Sequence, residues 1–139
     1  MRGGILVHHM NPGPSSITIM HKYHSMKVWQ RSHALVLLTL RSTDQAYHPR
    51  SRALFDQIRR AAISVEANLV EGYALGTSPQ FRRHLRIAVG SAAETECLLR
   101  TARELGYLPE TVVQEACGLL NEVLAMLFSL VRRPVATGG

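Results

Sequence analysis

The chain has 139 residues, 46% of them hydrophobic, 19% charged and only 6% aromatic. That is the length of one domain, able to bury a core without a disulfide or metal staple, and the composition excludes collagenous, low-complexity and wholly disordered chains. Sixteen bases against ten acids leave a charge of +6, and fourteen of the bases are arginine, which favours a polyanionic partner because guanidinium grips phosphate through a planar two-pronged fork.

The charge is uneven: residues 1–93 carry twelve bases and four acids, residues 94–139 four bases and six acids. Cys97 and Cys117 show no framework spacing, and the Ile5–Val7 run is too short for an export signal, so the expectation is a reduced, cytoplasmic protein. Read run by run, no apolar stretch approaches the ~18 residues of a membrane span, the longest candidate being Ala34 to Leu40.

Residues 1–24 read as a flexible extension, because Asn11-Pro12-Gly13-Pro14-Ser15-Ser16 holds no regular element. Met20 and Met26 leave a later start open. From Met26, the residues Val28, Trp29, Ser32, Leu35, Val36, Thr39 and Leu40 recur at three- and four-residue steps and predict a first helix to about Ser42. A second runs from about Ser51 to Gly72 on a stripe of Leu54, Ile58, Ala61, Ala62, Val65 and Leu69, with Gly72 or Gly76 as its cap. Thr77-Ser78-Pro79 starts the third, Ser78 as N-cap and Pro79 first in the helix. Its stripe of Phe81, Leu85, Ala88, Ala92, Thr95, Leu99 and Ala102 ends at Gly106. Pro109 opens a fourth, carried by Val112, Val113, Ala116, Leu119, Leu120, Val123, Met126, Leu127 and Leu130 to about Arg132. Pro134 stops it, leaving 134–139 as a flexible tail. Four amphipathic helices with short connections predict an all-α, up-down-up-down bundle over residues 25–133.

Three constellations stand out. Gln57, Arg60, Ser64, Asn68 and Glu71 share one edge of the second helix beside its stripe, where desolvated groups need partners; they predict a polar seam with a neighbouring helix. Ile63 and Val70, seven apart, face away from the core, with Arg59 and Glu66 as a charged rim. They predict a subunit interface, the alternative being scattered surface aliphatics. On the third helix Arg82 and Arg86 share a side, Arg83 points elsewhere, and Glu96 interrupts the run to Arg100 and Arg103. With Arg59, the residues Arg82, Arg83 and Arg86 are the nucleic-acid candidates, against the alternative of a solvated helix face. His21 and His24 have ligand-like spacing but no cluster around them, so no metal is expected. Cys97 and Cys117 read as small apolar fillers and Gly90 as a close helix–helix contact. No cofactor motif is present.

Lys27-Val28-Trp29-Gln30, then QIRRAAISVEANLVEGY from Gln57 to Tyr73, then Phe81 and RIAVGSAAETE from Arg86 to Glu96, then Leu105-Gly106-Tyr107-Leu108 occur in order and spacing. Over about residues 22–130 they resemble the bacterial four-helix-bundle family associated with 23S rRNA intervening sequences, itself similar to the accessory variability proteins of diversity-generating retroelements. The resemblance implies a homopentameric ring with a basic surface, contacts to a reverse transcriptase and nucleic acid, and no established enzymatic activity. It places Arg59, Arg60, Asn68, Glu71, Gly90, Ser91 and Glu94 at signature positions, which adds Ser91 and Glu94 to the seam. Where a proline often follows the aliphatic residue, this chain has Val65-Glu66-Ala67, which implies a more regular second helix.

The expectation is therefore a non-catalytic oligomeric binding or scaffold protein without cofactor or membrane, holding RNA or DNA through arginines, five copies gathering roughly +30 for avidity. A second reading is a ring that docks an acidic protein such as a reverse transcriptase. A third, an enzyme using Glu71 or Glu94 with His84, lacks a convergent set.

Overall fold

The computed structural model describes residues 23–75 and 77–133. Four helices carry the fold: α1 (Lys27–Gln45), α2 (Arg52–Leu75), α3 (Ser78–Glu104) and α4 (Glu110–Arg132). Each packs on two neighbours in the order α1–α2–α3–α4 and back to α1, with α2–α3 the most extensive pairing. Among the described residues there is no strand. Residues 1–22, Gly76 and 134–139, and with them the two terminal segments, His21 and one of the two candidate caps, lie outside the described residues.

The helices form where apolar residues recur with the helical period, and that stripe becomes the core. On α4, Val113, Ala116, Leu120, Val123 and Leu127 are buried at alternating steps of three and four. They meet Leu35 of α1, Phe55, Ile58, Val65 and Leu69 of α2, and Leu85, Ala88, Ala92 and Leu99 of α3 in one cluster. Ser32 and Thr43 are buried on α1, each hydroxyl donating to the carbonyl four residues back at 2.7 Å, so these small polar residues enter the core with their hydrogen bonds made.

Helix ends follow local chemistry. Gly106 takes φ +72°, and Tyr107 N donates to the Ala102 carbonyl at 2.8 Å while Gly106 N donates to that of Arg103 at 2.9 Å. That pair of bonds closes α3 in a left-handed glycine cap. At the other end of α3 the cap is Thr77 rather than Ser78, and Pro79 falls one position further in. Thr77 is extended and its carbonyl accepts the first helical bond, from Phe81 N at 2.9 Å. Gly72 does not end α2, which runs on to Leu75.

Mean hydropathy corrects one expectation. An 18-residue window of α4 averages 1.3, so α4 is long and apolar enough to cross a membrane by length and composition. Gln114, Glu115, Asn121 and Glu122 interrupt its runs and hide it from a run-by-run reading. Its regular stripe nevertheless packs in the bundle core.

Candidate functional site

Along the α2–α3 contact, polar side chains pair in a line. Gln57 Nε2 donates to Glu94 Oε1 at 2.6 Å. Two turns on, the Ser64 and Ser91 hydroxyls meet at 2.7 Å, and Asn68 Nδ2 donates to the Ser64 carbonyl at 2.8 Å and hydroxyl at 3.0 Å. The Asn68 carbonyl oxygen thus faces His84 Nδ1 at 3.0 Å, so that nitrogen carries the proton. Glu71 Oε2 lies 3.7 Å from the same nitrogen. The antiparallel pairing brings these groups together, and Gly72 makes room for it: a Cβ there would stand 3.1 Å from His84 Cβ and 3.2 Å from the Phe81 ring.

His84 is the seam member that sequence reading placed only in the enzyme alternative. It lies seven residues before Ser91 and so shares its face, a signal present in the sequence. Arg60 is exposed and makes no ion pair among the described residues. Glu94, bonded to Gln57, sits away from the His84–Glu71 pair, and the two serine hydroxyls are spent on each other. The described residues bring no nucleophile and base together there, and hold no group of three or more His, Cys, Asp or Glu suited to a metal.

On the other edge of α2, a groove of about 390 Å³ lies against α1, lined by Tyr23, Trp29 and Val36 on one side and Ile63, Glu66, Val70 and Glu71 on the other. Ile63 is 44% exposed, a large share for an aliphatic residue. Trp29 stacks on the His33 ring with centroids 5.0 Å apart, and His33 Nδ1 lies 3.0 and 3.1 Å from the two Glu66 oxygens. The groove floor is apolar and its border carries two carboxylates.

Arg59 does not rim this groove with Glu66. Its guanidinium reaches Asp44 at 2.9 Å and Asp56 at 3.5 Å and donates to the Thr43 hydroxyl at 2.8 Å. The acids at the end of α1 and one turn back on α2 capture it. Arg82 donates to the Arg133 carbonyl. Arg100 pairs with Glu96 at 2.6 Å and Arg103 with Glu110 at 3.7 Å. Arg83 and Arg86 are exposed and make no ion pair among the described residues. Of the four arginines singled out from the sequence, two stand free and two are engaged.

A family model described as 23S rRNA-intervening sequence protein matches residues 24–129. The chain belongs to this family. No curated protein matches it. In this family member two further expectations are corrected. Gly90 is exposed, and a Cβ there would meet nothing within 4 Å, so no helix of its own chain presses on it. Cys97 is exposed rather than a core filler. Cys117 is half-buried against the core, and burial, with Glu96 nearby, pushes its thiol above the ordinary value.

Proposed function

We propose that the protein is a non-catalytic, cytoplasmic scaffold that assembles into a homopentameric ring and holds nucleic acid without base readout. One observation carries the binding half: Arg83 and Arg86 stand on the outward side of α3 with no acid among the described residues to neutralise them, in a chain whose net charge is +6. Unpaired guanidiniums are poised for phosphate, and each phosphate neutralised releases counterions, which makes affinity fall steeply with salt. Repetition of the pair around a ring multiplies weak contacts through effective concentration. Ile63 and Val70, on the open groove, support the assembly half.

Fluorescence anisotropy with labelled single-stranded RNA and DNA tests the reading. Wild-type affinity is expected to drop by about tenfold or more when salt is raised from about 50 to 200 mM, and Arg83→Ala/Arg86→Ala to weaken binding and flatten that salt slope. Salt-insensitive binding, or a double variant that binds like wild type, would overturn it.

A further inference from the structure

A closed ring with an odd number of copies cannot be built from one self-complementary patch. Each copy must offer two different surfaces, one of which fits the other on its neighbour. Resting on the ring reading above, we propose that the α1–α2 groove receives the α2–α3 face of a second copy of this chain, with Ile87 as the inserted side chain.

The α2–α3 face has the required shape. Ile87 is 42% exposed on α3, comparable to Ile63 in the groove. Three residues on, Gly90 leaves open space. A glycine in mid-helix costs helix stability, and here nothing inside the chain offsets it. A flat spot beside a protruding isoleucine lets an approaching helix come close, which is the offset the single chain lacks.

Charge points the same way. The groove is bordered by Glu66 and Glu71, and Glu66 is held in place by His33. The α2–α3 face carries Arg60, exposed and without an ion pair among the described residues. Docking one on the other sets Arg60 near Glu66 beside an apolar centre, the arrangement of a polar rim about a dry core. Arg83 borders this face, whereas Arg86 is turned about 100° round the helix from Ile87 and stays open to phosphate.

Direction supports closure as well. The groove lies on the α1–α2 side and Ile87 on the adjoining α2–α3 side, so the two surfaces face near right angles to each other. A contact between them would turn each copy relative to the last, as a ring requires.

The test is complementation between two broken copies. Ile63→Glu spoils the groove and leaves the Ile87 face intact; Ile87→Glu does the reverse. Both positions are exposed, and circular dichroism with urea unfolding checks that each variant folds as wild type does; Ile63→Ser and Ile87→Ser stand in if either does not. By size-exclusion chromatography with light scattering, wild type is expected to run as a multiple of the 15.4 kDa chain and each variant alone as a single chain. Their equimolar mixture is expected to give one-to-one pairs and nothing larger, because only one sound groove can meet one sound face. If Ile87→Glu keeps the wild-type mass while Ile63→Glu does not, or if the mixture fails to pair, this assignment falls and the ring reading stands. If Ile63→Glu leaves an oligomeric mass unchanged, the groove is not the interface and the assignment falls; if wild type is a single chain, the ring reading falls with it.

Discussion

The two long edges of α2 make opposite use of the same helical period. Toward α3, residues beside the apolar stripe are polar, and their partners come from within the chain: Gln57 with Glu94, Ser64 with Ser91, Asn68 with His84. Toward α1, Glu66 and Arg59 find partners in His33 and Asp44, but Ile63 and Val70 between them find none, and Ile63 remains exposed above an open groove. A polar edge next to a core must be satisfied by the fold that desolvates it. An apolar edge costs little when left in water, so folding does not require its partner and association can supply one. The contrast separates what holds the single chain together from what it has left to offer.

The sharpest way to break this comparison is to cut the stripe and then its open edge and weigh the losses. Leu69→Ala empties a fully buried site and is expected to lower unfolding stability by about 2–5 kcal/mol. Ile63→Ala, six residues earlier, is expected to change the single chain by no more than about 0.5 kcal/mol. Urea unfolding at low protein concentration measures both, and a large loss at Ile63 would mean that the groove edge belongs to the folding core.

A smaller effect separates the glycines. Gly72→Leu drives a side chain into His84 and Phe81 and is expected to cost about 1–3 kcal/mol. Gly90→Ala meets nothing and is expected to stabilise the single chain by up to about 1 kcal/mol through helix propensity. Thermal or urea unfolding of the two variants should move in opposite directions.

The smallest effect is alkaline. Burial pushes the Tyr73 hydroxyl above its ordinary value of 10.0, opposed by Arg133, and the Cys117 thiol above 9.0. Both groups hold their proton more tightly folded than unfolded, so the stability linked to them is complete below those ordinary values and is lost as pH rises through them toward the folded values. Urea midpoints are therefore expected to decline from about pH 8 to about pH 11, and Tyr73→Phe with Cys117→Ala to flatten the decline. A decline unchanged in that double variant would place its cause elsewhere.

Much of this architecture was legible beforehand because it is local. The stripes on all four helices, the Gly106 cap and the proline before α4 follow from period and backbone chemistry, which need no knowledge of what packs opposite. The seam was half legible: α2 showed its polar edge, but His84 became part of it only when the antiparallel pairing carried it to Asn68. The arginines were least legible. Asp56, three residues before Arg59, is a partner the sequence shows, but Asp44 reaches Arg59 only because α1 and α2 pack together, and no acid among the described residues reaches Arg86. Gly72 and Gly90 exchanged roles for a similar reason, since a glycine does not encode whether a helix approaches it.

By itself, then, the sequence determined four amphipathic helices, their ends to within about three residues, and which family the chain resembles, because helical period and capping act locally. The tertiary structure alone decided which charges are spent and which remain, which glycine admits a neighbouring helix, and which apolar edge stays open. Those outcomes depend on groups brought together across the bundle, and such contacts have no period to read.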